Sequence, residues 1–290
     1  MDQLNPTSVN LTFSSTLGPP ASISGFRTLV PVGIMFLCFL VGFPGNLSVL
    51  ILKPNWQQLS RLTQSLMMNL ALSDLLCVVT IPVWIYAVLY DWALGDVTYK
   101  IVGFVVHCSI YSSVLTITAL SVQRYVQVVH PLRCLQFKKR LLVLMWLTSM
   151  VLSIQAFMAR YHDQHHNSTQ HVAMLLTECV FGLSSFIITT CAYILLSRKL
   201  NQAVFFNNDS TIIMTFFVFL MPNLLFNLVT VGGILSNNQK IVQFYETGLN
   251  FFACLTFINS SINPLIYAFA GGIYCKNIQV QEDCGTMNEI

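Results

Sequence analysis

One carboxylate lies where water should be scarce. Asp74 sits in Asn69-Leu70-Ala71-Leu72-Ser73-Asp74-Leu75, inside a long apolar run. It is the one clear charge read at mid-segment depth, and a charge buried at membrane depth marks a functional site by default. No basic residue lies at matching depth. Its partner is therefore a small cation such as sodium with water, or hydroxyl and amide groups from other segments. Ser113, Asn259 and Asn263 are the candidate co-ligands, and Asn46, after Gly45, is placed to join them. A static hydrogen-bonded knot between helices is the alternative. Asn259 and Asn263 belong to Asn259-Ser260-Ser261-Ile262-Asn263-Pro264-Leu265-Ile266-Tyr267, an unusually polar stretch of an otherwise apolar run. An unsatisfied polar group in hydrocarbon costs several kcal/mol, so this stretch must face other helices or internal water. Pro264 removes a backbone donor and bends the helix.

Other reactive clusters carry less. His162, His165, His166 and His171 gather with Asp163, but their spacing has no helical or finger pattern, so a solvated loop is favoured over a zinc site. No P-loop, metalloprotease motif, nucleophile elbow or paired carboxylate is present, which argues against an enzyme.

These residues need helices in a membrane to hold them. The chain has 290 residues, 55% hydrophobic and only 9% charged. A soluble domain carries roughly 25% charged residues. Seven apolar runs are each long enough to cross a bilayer. They are residues 28–52, 63–90, 99–129, 141–160, 172–196, 210–235 and 242–271, numbered here as spans one to seven. Residues 1–25 are a polar tail without the basic and apolar regions of a signal peptide, and residues 272–290 form the other tail. With the N-terminus outside, ten Lys and Arg fall on the cytoplasmic side and four (Arg27, Lys100, Arg160 and Lys240) outside, as the positive-inside rule requires. The sequons at Asn10 and Asn167 are then extracellular and open to glycosylation. The expected fold is an all-α membrane protein, a seven-transmembrane helix bundle with a short amphipathic helix after the last span. Its expected location is the plasma membrane, and no nucleic-acid partner is expected.

Gly45-Asn46, Leu70–Asp74, Arg124-Tyr125, Trp146, Pro222 and Asn263-Pro264-Leu265-Ile266-Tyr267 occur in order along the spans. In this the chain resembles rhodopsin-like G-protein-coupled receptors over residues 26–280. Val41–Asn46, Tyr111–Leu120 and the Ser260–Gly272 stretch are similar to those of leukotriene B4 receptors. The resemblance implies an acidic lipid mediator, such as leukotriene B4 or a related eicosanoid, bound from outside. It implies an inhibitory-type heterotrimeric G protein inside, and arrestin as a further partner. Chemoattractant peptide receptors are near relatives, and a receptor-like scaffold or scavenger is the other alternative. On this resemblance Arg160 serves the ligand carboxylate, with an interfacial anchor as its bland alternative. Glu178, His171 and Tyr111 would line the ligand pocket. Arg124, Tyr193, Pro222, Asn263, Pro264 and Tyr267 would form the switch. By residue physics alone, Arg124 reads as a snorkelling anchor at a helix end.

Several positions depart from that pattern. The cysteine expected near the outer end of span three is Tyr99, and the second outer loop has no Cys, so the usual loop disulfide is missing. Gln123 replaces the acid that precedes the arginine, and Leu220 replaces a Trp two residues before Pro222. Leu183-Ser184-Ser185 stands where span five usually has Pro. An amide cannot form the ion pair that holds the arginine, so a weaker inner lock is expected.

Overall fold

The computed structural model describes residues 21–52, 60–90, 94–129, 138–158, 168–199, 209–287. All regular structure among them is helical: α1 Ala21–Leu52, α2 Arg61–Val79, α3 Ile81–Tyr90, α4 Gly95–Val129, α5 Lys138–Met158, α6 Ser168–Lys199, α7 Asp209–Leu235 and α8 Gln239–Met287. Span one is α1, span two is α2 with α3, and α4 to α8 are spans three to seven.

The helix of span two is interrupted at Thr80, between α2 and α3. Pro82 supplies no N–H, and Thr80 at the break turns its hydroxyl back onto the Cys77 carbonyl at 2.7 Å. Ser60 caps the start of this span, its hydroxyl accepting from the Thr63 N–H at 3.2 Å. Spans six and seven are joined by a tight turn in which Asn237 takes φ 54°, a left-handed conformation that Asn tolerates. The short amphipathic helix expected after span seven is not a separate element. The last helix runs on to Met287, a difference consistent with the absence of a proline after Pro264 in that stretch.

Among the described residues, Thr28–Leu52, Arg61–Tyr90, Gly95–Val129 and His171–Lys199 are each long and apolar enough to cross a membrane, and span seven qualifies as a helix bent by 41°. The spans close into a ring: one packs on two and seven, six on five and seven, and three on two, four and five. Span three is thus the central post.

The distribution of side chains is inverted relative to a soluble protein. Leu40, Ile51, Val143, Val151, Val180 and Val229 point outward, while Asn46, Asn69, Ser73, Asp74, Ser112, Thr116 and Asn263 are buried. Lipid removes the drive to hide apolar surface, so the polar groups that need partners are the ones gathered inside. An apolar layer around Leu66, Leu70, Ile117 and Leu120 packs spans two and three. A second layer, with Met35, Val78, Ile81 and Phe257, packs spans one, two and seven.

Candidate functional site

The inner site is built around Asp74, which is fully buried. Ser113 of span three donates to Oδ1 at 3.0 Å, and Asn263 of span seven donates to Oδ2 at 2.6 Å. Three helices therefore meet on one carboxyl group. Asn259 does not join them: among the described residues no hydrogen bond links it to Asp74. It lies one helical turn from Asn263, and the rotation of span seven gives the carboxylate to Asn263 and leaves Asn259 half-buried. Asn46 does not reach the cluster either. Its amide donates to the Gly42 and Ser260 carbonyls, both at 3.0 Å, and so ties span one to span seven. That approach needs glycine: a Cβ on Gly42 would lie 2.5 Å from Ser261 Oγ, and one on Gly45 would lie 3.0 Å from Pro264 Cβ.

A polar belt continues the cluster sideways. Trp146 of span four donates its indole N–H to Asn69 Oδ1 at 2.8 Å, and Asn69 donates to Thr116 at 2.7 Å. Ser73 donates to Ser112 at 2.7 Å. Each such interhelical bond contributes on the order of 0.6 kcal/mol in a membrane. Toward the C-terminal end of span three, Gln123 is buried and, among the described residues, its Oε1 accepts no hydrogen bond. Arg124 and Tyr193 are half-buried. Pro222 lies inside span six, and Pro264 is buried in span seven.

The outer site is a second polar cluster, around Glu178 of span five. His107 of span three places Nε2 3.0 Å from Glu178 Oε1, each side chain 22% exposed. Asn227 of span six donates to Oε2 at 2.7 Å. Glu178 is thus a second carboxyl group set within a span. Neither His107 nor Asn227 was expected from the sequence, although a histidine in an otherwise apolar span is the kind of signal that points there. Aromatic rings surround the cluster. Buried Tyr111 meets Phe181 edge to face at 5.1 Å, and Phe226 stacks on Phe252 at 3.7 Å and on Tyr245 at 5.2 Å. His171 Nε2 lies 3.2 Å from the Tyr245 hydroxyl. Glu178, His171 and Tyr111 share this region with His107, Asn227, Tyr245 and Phe226. Arg160, Asn10 and Asn167 lie outside the described residues, as does the side chain of Tyr267.

Spans five and six are drawn close beside this cluster. Gly182 lets Leu224 pack where a Cβ would stand only 2.5 Å from Leu224 Cδ2, and the Cys179 thiol points to the Leu224 carbonyl at 3.8 Å. On span six these contacts, with Glu178–Asn227, lie C-terminal to Pro222.

The sequence has counterparts in known proteins. The sequence profile described as 7 transmembrane receptor (rhodopsin family) matches residues 45–267. The type-1 angiotensin II receptor of Canis lupus familiaris is 28% identical over 276 residues, covering 83% of this chain and 77% of that receptor. The type-1 angiotensin II receptor A of Mus musculus is 28% identical over 277 residues, with the same coverage of 83% and 77%. The type-1 angiotensin II receptor of Homo sapiens is 28% identical over 271 residues, covering 81% and 75%. The profile spans most of the chain, including Asp74, Arg124, Pro222 and Asn263-Pro264. The chain belongs to the rhodopsin family of seven-transmembrane receptors, multi-pass proteins of the plasma membrane and not enzymes.

Proposed function

We propose that this receptor, with its N-terminus outside, binds an acidic lipid mediator of the leukotriene B4 type and activates an inhibitory-type heterotrimeric G protein. Arrestin is a further partner. The observation that carries the reading is a compact polar cluster, Glu178 with His107 and Asn227, set among Tyr111, Phe181, Phe226, Tyr245 and Phe252. Such a pocket matches a ligand that is mostly hydrocarbon with a few hydroxyls. The apolar chain lies against the rings, the hydroxyls meet the cluster, and the ligand carboxylate reaches Arg160. The likeness to leukotriene B4 receptors rests on the motifs of spans one, three and seven.

Activation is a population shift. Ligand stabilises a state in which the inner half of span six swings outward about Pro222, Tyr193 and Tyr267 move toward Arg124, and the G protein enters. A sodium ion at Asp74, with Ser113 and Asn263 as neighbours, would favour the resting state. Gln123 weakens the inner restraint. On this account Gln123→Asp lowers basal G-protein activation; an unchanged or higher baseline counts against the weakened lock.

A peptide ligand is the second reading, favoured by the 28% identity to receptors named for angiotensin II. Displacement binding on membranes separates the two, using a dihydroxy eicosanoid, the same fatty acid without hydroxyls, and angiotensin II. The lipid reading expects the dihydroxy acid to bind best. Arg160→Ala should weaken it by about 1.5–3 kcal/mol, the worth of a hydrogen bond to a charged group. Equal binding by that variant removes Arg160 from the site, and preference for the peptide overturns the lipid assignment.

A further inference from the structure

The imidazole of His107 faces an acceptor at each ring nitrogen. Nδ1 lies 2.8 Å from the Gly103 carbonyl oxygen, and Nε2 lies 3.0 Å from Glu178 Oε1. A carbonyl oxygen can only accept, so Nδ1 carries a hydrogen. That leaves the proton between Nε2 and Oε1 to be supplied. A neutral imidazole beside an ionised carboxylate would set a nitrogen lone pair against an oxygen lone pair. The contact closes only if the pair holds one more proton, and the imidazole, the stronger base of the two, carries it.

We propose that the His107–Glu178 pair is a proton-binding site, and that the bound proton fastens span three to span five. The lock reaches further than those two helices. Asn227 donates to the other carboxyl oxygen at 2.7 Å, and spans five and six are also joined through Gly182, Cys179 and Leu224. Loss of the proton therefore releases spans five and six together from the central post. Each partner's side chain is 22% exposed, so the pair is not sealed inside the bundle. The other titratable groups around it are Tyr111 on span three, His171 and Cys179 on span five, and Tyr245 on span seven. Glu178 is the charged partner of His107, and the Gly103 carbonyl its other acceptor. The proton is thus a second ligand of the receptor, and pH sets how tightly span three is held to spans five and six. This holds whichever mediator the receptor accepts.

Two measurements on purified full-length receptor in nanodiscs test it. In the first, the melting temperature is followed from pH 6 to pH 9. The native state binds a proton that the opened chain releases across this range, so stability falls as pH rises. Wild type should lose roughly 2–4 °C through this site, and His107→Gln should lack that component. In the second, nitrogen spectra of receptor carrying ¹⁵N-labelled histidine should show one imidazole with both nitrogens protonated at pH 7. That signal should disappear in His107→Gln and become a neutral ring in Glu178→Gln. An undiminished slope in His107→Gln overturns the proposal, as does a spectrum holding only neutral rings at pH 7. If His107→Gln does not fold, Glu178→Gln decides alone: a retained doubly protonated ring sinks the pair as the proton site.

Discussion

Asp74→Leu is expected to lower the melting temperature of the purified receptor by about 4–24 °C. The reason is local. Ser113 and Asn263 both donate to this carboxyl, and all three groups are buried. Leucine offers no acceptor, so two donors stay unpaired inside the bundle. A buried donor left without a partner costs about 1–3 kcal/mol, giving roughly 2–6 kcal/mol for the pair. At about 2–4 °C per kcal/mol for a larger domain, the loss is readily measured. Asp74→Asn separates stability from signalling. Its amide oxygen still accepts from one neighbour, so most of the melting temperature should survive. Its lost charge should remove any sodium dependence of agonist affinity. A wild type indifferent to sodium rules out the cation, and a stable Asp74→Leu would show that the three-helix knot is not holding the bundle.

Gly42→Val should be nearly as damaging, through packing rather than polarity. A Cβ at Gly42 meets Ser261 Oγ at 2.5 Å, Ser261 Cβ at 3.0 Å and Val78 Cγ2 at 3.0 Å. Ser261 cannot simply turn away, because its hydroxyl is held between the Cys38 and Phe257 carbonyls at 2.9 and 2.7 Å. Span one must therefore move off span seven, and the Asn46 bond to the Ser260 carbonyl goes with it. Overpacking costs about 1–3 kcal/mol, and the stranded Asn46 amide adds on the order of 1 kcal/mol. Gly33 is the control: a Cβ there has nothing within 4 Å. Gly33→Ala should melt like wild type in the same assay. Equal melting of Gly42→Val and Gly33→Ala would contradict the close approach of spans one and seven.

The inner site was largely legible because its residues contradict their surroundings. A carboxylate, an asparagine and a serine in apolar runs have few places to go except toward one another. Their pairing was harder to read. Asn259 and Asn263 are one turn apart and chemically identical, and the rotation of span seven decides which one meets Asp74. Asn46 was assigned to the same cluster by type, yet its amide is used by backbone carbonyls. The outer site was half legible. Glu178, His171 and Tyr111 came from family likeness, whereas His107 and Asn227 become meaningful only once spans three, five and six are packed. The interruption at Thr80 is hidden in sequence because Pro82, two residues before Trp84 and four before Tyr86, lies inside one continuous apolar run. The polarity of each span is a property of composition, while the partners of each polar group are set by helix rotation, which no single span records.

The proposed mechanism joins two polar clusters that tie span three to its neighbours with a pivot of span six at Pro222. Its central consequence is ligand-driven activation of a G protein. The most direct measurement is nucleotide exchange on a purified inhibitory-type heterotrimer, catalysed by the receptor in nanodiscs, with and without the dihydroxy eicosanoid. The account predicts a measurable basal rate, raised further by the lipid and left unchanged by the fatty acid without hydroxyls. No acceleration by folded receptor, with lipid or with angiotensin II, would contradict it and leave a receptor-like scaffold.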